Sequence, residues 1–186
     1  PTSYIRSNTG SATTRLADAA NNAGSSDLIS STEGVLYAEI SALADDGTNR
    51  YISISDGTAN NRILIRYIAG FSNTVGLFAV VGGAEQATLL YEVNDILDNI
   101  KVLIKYKQND YSLWVNGFEV DTDTIGIVPS ENTLDRLNFA NIDGATFRFY
   151  GNTKSVAVFK EALTDLELEC LVSWMSFSDL GINFGY

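Results

Sequence analysis

Short runs of alternating apolar and polar residues, separated by clusters of Gly, Asn, Asp and Ser, recur along this chain of 186 residues. In the run GVLYAEI, for example, Leu36, Ala38 and Ile40 fall on one side of an extended strand. Many short strands with turn residues between them are typical of an antiparallel sandwich or barrel. We therefore expect an all-β fold, an antiparallel β-sandwich of the jelly-roll type.

One short helix is indicated near the C-terminal end of the chain. Thr164 and Glu167 have the spacing of a capping box, in which each side chain satisfies a backbone N–H group of the other residue. Leu163 and Leu168 are placed as a hydrophobic staple around the same cap. The sequence predicts a helix from about Asp165 to about Ser173 that packs on the sandwich.

The length of the chain and the lack of a linker or repeat predict a single domain over residues 1–186. The run SFSDLGINFGY is expected to add a last strand beside the N-terminal segment. No run approaches the roughly 18 apolar residues of a membrane span, so we expect no membrane insertion. The chain starts with PTSYIRSNTG, without an initiator Met or an apolar leader, and we expect a processed protein or part of a larger one.

Charge and composition narrow the functions that this chain can have. The formal net charge is −11, which disfavours binding to nucleic acid, because that requires clustered Lys and Arg. The chain contains no histidine, so serine triads, Cys–His dyads and the usual zinc sites cannot be built from it. We also find no glycine-rich phosphate loop after a predicted strand.

The hairpin YSLWVNGFEV places one of the two tryptophans of the chain in an unexpected position. Asn116-Gly117 predicts a two-residue turn, because both central residues must accept a positive φ. One face of the hairpin is then apolar and consists of Leu113, Val115, Phe118 and Val120. Trp114 stands on the opposite face, across from Glu119.

A second two-residue turn at Asn109-Asp110 would place Lys105 opposite Trp114. Lys105, Trp114 and Glu119 would then form one cross-strand row. Such a row suits a sugar ring, which stacks its CH face on the indole while the charged groups hydrogen-bond its hydroxyls. Alternatively, the Lys105 stem, a loop or a partner chain covers the indole. By parity with the apolar face, we predict that Trp114 is at least partly solvent-accessible.

Two arginines are further candidates for this binding surface. Arg62 and Arg66 share the outward face of a predicted strand with Leu64. They would belong to the Trp114 surface if their strand lies in the same sheet, which the sequence leaves open.

The hairpin and the segment FRFYGNTKSVAVFKEALTDLELECL that follows it together resemble a known family. The order of these motifs is similar to that of laminin-G-like, concanavalin-A-like jelly rolls of phage tail and bacterial surface proteins, over roughly Gly34 to Val172. The resemblance implies a β-sandwich. It leaves the function open, because this superfamily includes lectins, carbohydrate-binding modules, hydrolases, lyases and adhesion domains.

The resemblance also implies a possible catalytic motif. A hydrolase family of this fold uses Glu-x-Asp-x-Glu on a strand, with the first Glu as nucleophile and the last as acid/base. Here the pattern is Glu119-x-Asp121-x-Asp123, with three carboxylates expected on one strand face. The shorter Asp123 would hold the proton donor further back. The alternative is a solvated outer face that runs into a turn.

Calcium is common in this superfamily, where Asp and carbonyl oxygens bind it at the rim of the sandwich. Two acidic, glycine-containing segments could supply such hard oxygen ligands. They contain Asp45 and Asp46 in one segment and Asp56 in the other. Neither segment matches a full calcium-loop motif, and plain turns are the alternative.

These observations favour a non-catalytic, lectin-like module that binds a cell-surface or extracellular glycan as part of a phage tail or bacterial surface protein. Its expected ligand-binding residues are Trp114, Lys105, Glu119, Arg62 and Arg66. Calcium is possible as a cofactor, a homo-oligomer is possible within a larger assembly, and the expected location is the virion or the cell surface. The alternatives are a glycoside hydrolase that acts through Glu119 and Asp123, and a purely structural virion domain.

Overall fold

The computed structural model describes residues 22–142 and 146–173. Two antiparallel five-stranded sheets and one short helix make up this part of the chain. The expected last strand in SFSDLGINFGY lies outside the described residues, as does most of the N-terminal segment. Within the described residues, no helix has the length and apolarity needed to cross a membrane.

The first sheet, called sheet I, has the strand order β10-β1-β6-β7-β8. Its strands are β1 (Glu33–Ala42), β6 (Ile100–Lys107), β7 (Asp110–Val115), β8 (Phe118–Asp123) and β10 (Gly151–Phe159). The second sheet, called sheet II, has the order β5-β4-β3-β2-β9. Its strands are β2 (Arg50–Ser55), β3 (Arg62–Tyr67), β4 (Thr74–Val81), β5 (Ala84–Glu92) and β9 (Arg136–Asn138). The predicted antiparallel jelly-roll sandwich is confirmed.

The main core lies between the two sheets. Alternate residues of every long strand point into it, as the period of two along the sequence predicted. On β1, for instance, Leu36, Ala38 and Ile40 are fully buried in this core, and on β3 Ile63 and Ile65 are buried there as well.

A second, smaller core lies on the outer side of sheet I, under the helix α1 (Asp165–Val172). Its buried members are Val35, Tyr37, Leu103, Trp114, Leu168, Leu171 and Val172. The helix starts where the capping box predicted, and the Glu167 carboxylate accepts hydrogen bonds from the Thr164 backbone N–H (2.8 Å) and hydroxyl (2.7 Å). Leu163 packs against the same cluster. The helix prediction is confirmed.

Two turns set the register of the β6-β7-β8 meander. Asn116 and Gly117 both have positive φ (48° and 95°), which confirms the predicted hairpin turn. The preceding turn differs from the prediction, because Lys107 pairs with Asp110 and Asn109 has the positive φ (57°). The turn residues are therefore Gln108 and Asn109, and the β6-β7 register moves by two residues, which leaves the side chains of β6 and β7 on their predicted faces.

The segment ATFRFYG has the apolar–polar alternation that predicts a strand, but most of it does not form one. In the described part, residues 146–150 are irregular, and the strand β10 begins only at Gly151. Phe147 has a φ of +51°, a left-handed conformation that interrupts an extended strand. This segment instead bonds to the edge of sheet II, where the Tyr51 N–H donates to the Phe147 carbonyl (3.0 Å).

Candidate functional site

The predicted exposure of Trp114 is wrong. The residue does lie opposite Glu119 on the outer face of sheet I, but only 6% of its surface is exposed. The helix α1 covers that face with Leu168, Leu171 and Val172, which belong to the same buried cluster as the indole. The indole N–H donates to the Ser112 hydroxyl (2.9 Å), so its polar group is satisfied inside the protein. In this structure the ring is a packing residue and offers no face to a sugar.

The charged neighbours of Trp114 belong to the attachment of the helix. Lys105 is only 8% exposed and lies opposite Ser112, and its ammonium pairs with Asp110 (2.9 Å) and with Asp165 at the start of α1 (3.6 Å). Glu119 is exposed beside this cluster. Burial of its carboxyl group and the negative charge of Asp165 raise the pKa of Glu119. The expected row of Lys105, Trp114 and Glu119 therefore exists only in part, and α1 lies over it.

A β-bulge separates the carboxylates of the proposed hydrolase motif. On β8, Glu119 pairs with Trp114 and Asp121 pairs with Leu113, so the register shifts by one residue between them. Cross-strand partners share a face, and so Glu119 lies on the helix side while Asp121 lies on the core side. Asp123, opposite the buried Tyr111, lies on the core side as well. The expectation that the three carboxylates share one face is wrong.

The carboxylates of Asp121 and Asp123 serve the backbone around them. Asp121 Oδ2 accepts a hydrogen bond from the Leu90 N–H of sheet II (3.1 Å), and Asp123 Oδ1 accepts one from the Ile125 N–H (2.8 Å). A retaining glycosidase needs two carboxyl groups that face the same sugar about 5–5.5 Å apart. Glu119 and Asp123 project from opposite faces of their strand and do not provide this arrangement.

The carboxylates of the calcium candidates accept hydrogen bonds from other protein groups. Asp46 Oδ1 accepts from the Thr48 N–H (3.0 Å) and from Arg50 (2.8 Å). Asp45 accepts from the Ser72 hydroxyl. The Asp56 carboxylate accepts from the Thr58 N–H and hydroxyl and from the Asn61 side chain, at 2.7–2.8 Å. Over residues 22–142 and 146–173, no group of three or more acidic, Cys or His residues could hold a metal ion.

Arg62 and Arg66 lie on sheet II and so do not join the Trp114 surface. Both project from the outer face of β3 on either side of Leu64, as predicted, while the intervening residues Ile63 and Ile65 fill the core. The two sheets pack face to face, so the outer face of sheet II and the outer face of sheet I look in opposite directions.

The two guanidinium groups converge on one aromatic ring. The Arg66 guanidinium carbon lies 4.4 Å from the centroid of the Phe78 ring, and that of Arg62 lies 5.5 Å from it. Such cation–π contacts hold a guanidinium in a fixed position. Arg62 Nη1 also donates to the Asn141 side-chain oxygen (2.8 Å), and Arg66 lies opposite Tyr51 on the neighbouring strand β2.

An open cleft adjoins this pair. Its volume is about 340 Å³, and its lining residues are Thr48, Asn49, Phe147, Arg148 and Tyr150. The Phe147 ring (45% exposed) contacts the Tyr51 ring with 5.0 Å between centroids, and Tyr51 is the cross-strand partner of Arg66, so the two arginines lie next to the cleft. Tyr150 is 50% exposed. We call the lining residues together with Tyr51, Arg62, Arg66 and Phe78 the sheet II site.

Sequence reasoning found only part of the sheet II site. It singled out Arg62 and Arg66 but missed Phe147 and Tyr150, because the alternating letters FRFY follow a strand pattern. The positive φ of Phe147 shows that the backbone is not extended at this residue, although the sequence alternates like a strand. A bulky residue in this conformation is under strain of about 1–3 kcal/mol, and such strain concentrates at functional sites.

No family model and no curated protein sequence matches this chain. Solved structures do match its fold. The CBM40 of the Ruminococcus gnavus IT-sialidase is similar with a TM-score of 0.62 and 15% identity, covering 77% of this chain and 84% of that one. A heptameric SAP-like pentraxin from Limulus polyphemus has a TM-score of 0.60 and 12% identity, covering 84% of this chain and 81% of that one.

One of these structures includes a sugar. The same CBM40 was solved bound to α2,3 sialyllactose, and it matches with a TM-score of 0.61 and 16% identity, covering 76% of this chain and 83% of that one. At such identities the likeness shows the fold alone. The fold is a jelly-roll sandwich that carbohydrate-binding modules share.

Proposed function

We propose that this domain is a non-catalytic, lectin-like module that binds a glycan in the sheet II site. The observation that carries the proposal is the cleft, in which the exposed rings of Phe147 and Tyr150 stand beside the polar side chains of Thr48, Asn49 and Arg148. Aromatic faces bind the CH surface of a sugar, and a few placed polar groups bind its hydroxyls.

The frame of this cleft is held in place by the protein itself. Asp46 accepts hydrogen bonds from Thr48 and Arg50, and the Asn49 side-chain oxygen accepts from the Ala69 N–H (2.8 Å). On the other side, the Phe147 carbonyl is bonded to the Tyr51 N–H. A binding site that is formed before the ligand arrives loses less conformational entropy on binding.

One of the similar structures supports this proposal. A carbohydrate-binding module with the same fold was solved with sialyllactose in both the α2,3 and the α2,6 linkage. The separation of Glu119 from Asp123 by the bulge also favours binding over hydrolysis. The resemblance to laminin-G-like domains adds a biological setting. We propose a receptor-binding role for this domain in a phage tail or a bacterial surface protein, located at the virion or the cell surface. In that setting the domain can assemble as a homo-oligomer.

The test is a glycan array probed with the intact chain, followed by calorimetry with the best ligand. Tyr150→Ala should weaken binding by at least about tenfold, which corresponds to about 1.4 kcal/mol. The matched control is Phe118→Ala, which removes another exposed aromatic ring (72%) on sheet I and should leave binding unchanged.

The outcomes separate the three functions. If no array glycan is retained, a structural virion domain is favoured. If glycans bind but Tyr150→Ala binds them as well as the wild type, the proposed site is wrong and the glycan binds elsewhere on the domain. Release of reducing ends from polysaccharides, lost in both Glu119→Gln and Asp123→Asn, would establish the hydrolase instead.

A further inference from the structure

Arg62 and Arg66 differ from most other basic side chains of the described part of the chain. Five of those form ion pairs, namely Arg50 with Asp46, Lys105 with Asp110 and Asp165, Lys107 with Glu33, Arg136 with Asp135, and Lys154 with Glu39. Within residues 22–142 and 146–173, neither Arg62 nor Arg66 forms such a pair. The chain carries 23 acidic residues against 12 basic ones, so unpaired arginines are not explained by a shortage of carboxylates.

Burial makes the placement of these two arginines unfavourable in the free protein. Both side chains are half-buried, and burial is the largest influence on the pKa of each guanidinium, which it lowers. Tyr51 raises both pKa values, and the nearby carboxylate of Glu85 raises that of Arg66, so burial is offset only in part. Both nevertheless stay charged at neutral pH, as arginine does in proteins. The Nε–H of each is buried and has no hydrogen-bond acceptor among the described residues. The protein therefore holds two positive charges side by side with donors that it does not itself use.

An anion would offset the two neighbouring positive charges. A guanidinium donates paired N–H groups to two oxygens of a carboxylate or sulfate, and these charge-assisted bonds are the stronger kind. Phe78 keeps both guanidinium groups at one place on sheet II. The net charge of −11 does not abolish this attraction, because salt screens distant charges beyond about 8 Å at physiological ionic strength.

The arginine pair lies next to the cleft. Tyr51 contacts the Phe147 ring that lines the cleft and is also the cross-strand partner of Arg66. A sugar seated on Phe147 and Tyr150 would therefore extend its next residue or its substituent toward Arg66 and Arg62.

We propose that Arg62 and Arg66 form an anion subsite of the glycan-binding site, which selects glycans with a carboxylate or sulfate group over their neutral counterparts. This inference rests on the proposed function for its glycan, and it assigns the chemical class of that glycan. The carboxylate or sulfate accepts hydrogen bonds from the two guanidinium groups, while the sugar ring occupies the cleft.

The first experiment compares matched glycans that differ only in one anionic group. Each glycan is tested in three versions, or arms: the neutral glycan, its carboxylated form with a uronic or sialic acid, and its sulfated form. The intact chain should bind at least one anionic arm about tenfold or more tighter than the neutral arm, and added salt should reduce this preference. The arm that binds more tightly identifies the source of the negative charge.

Variants of the two arginines then test whether they cause the preference for anionic glycans. Arg66→Gln and Arg62→Gln should each bring anionic binding to within about threefold of the neutral binding measured with the same variant. Arg66→Lys keeps the charge without the planar fork and should lose part of the preference. The matched control is Arg136→Gln on β9 of the same sheet, since this arginine is already paired with Asp135 at 2.6 and 2.9 Å. Its preference should equal that of the wild type.

A direct measurement tests the anion subsite without relying on glycan binding in the cleft. The Nε–H signals of Arg62 and Arg66 in an NMR spectrum can be assigned with the variants Arg62→Lys and Arg66→Lys. These two signals should shift when inorganic sulfate or free glucuronate is added, and that of Arg136 should not. If glycans are not bound but these signals shift, the proposed function is wrong and the anion site stands. Equal binding of anionic and neutral arms, or unmoved signals, would overturn the anion subsite even if glycans bind.

Discussion

The burial of Trp114 under α1 can be measured as a loss of stability in the variant Trp114→Ala. A buried tryptophan side chain removes about 150–250 Å² from water. At about 25 cal/mol per Å² this corresponds to about 4–6 kcal/mol. Since 94% of the residue is covered, almost all of this free energy depends on the helix staying in place.

Relaxation of the structure reduces this figure. The helix α1 has eight residues and packs over β6, β7 and β8, so it can move partway into the space that the indole leaves. Trp-to-Ala substitutions in protein cores lower the free energy of unfolding by about 3–5 kcal/mol. For Trp114→Ala we expect a loss in the lower part of this range, about 3–4 kcal/mol. The Ser112 hydroxyl, which is buried, loses its partner in the same variant.

Urea unfolding followed by far-ultraviolet circular dichroism tests this prediction. With a slope of about 2 kcal/mol per M, the midpoint should fall by about 1.5–2 M. The control is Phe118→Ala, four residues away in the same hairpin, whose ring is 72% exposed and should change stability by no more than about 0.5 kcal/mol. If the two variants lose similar amounts, α1 does not cover the tryptophan, and the surface of Trp114, Lys105 and Glu119 again becomes a binding candidate.

Two further predictions concern the same helix. Thr164→Ala removes the hydroxyl that bonds to Glu167 and should lower the free energy of unfolding by about 0.5–2 kcal/mol. The control Thr124→Ala, in an exposed loop, should leave it unchanged. Equal melting temperatures of the two variants would mean that the cap does not stabilise the protein. Glu119→Gln should stabilise the protein at neutral pH, because the folded state raises the pKa of Glu119 and so disfavours its ionised form. This gain in stability should vanish as the pH falls below about 4.3, the pKa of a Glu carboxyl in the unfolded chain, because the carboxyl is then protonated in both states. Thermal melts of the wild type and the variant at neutral pH and below about pH 4 measure the gain. The same melting-temperature difference at both pH values would contradict this reasoning.

The sequence alone predicted the features that depend on local geometry. The period of two along each strand identified which residues of β1 and β3 enter the core. Asn116-Gly117 defined a hairpin turn through its positive φ values, and Thr164 with Glu167 marked the start of α1. Even the two-residue error at Asn109 left all faces unchanged, because a shift by two keeps the parity of a strand.

Only the tertiary structure decided which of the outer faces is covered. The polar neighbours of Trp114 read as a solvent face, and that reading was wrong because a helix from a distant part of the chain packs there. The bulge between Glu119 and Asp121 likewise adds one residue that no letter in the sequence marks, and it divides the carboxylates between two faces.

The candidate site was predictable only in part, for a related reason. The alternation in RILIRY placed Arg62 and Arg66 outward, but strand order is set by pairing between distant segments, and this pairing put them on sheet II, away from Trp114. The cleft depends on Phe147, whose left-handed backbone runs against its strand-like sequence and is imposed by bonds to Tyr51. Local alternation determined the direction in which each side chain points, and long-range packing decided which of those side chains meet.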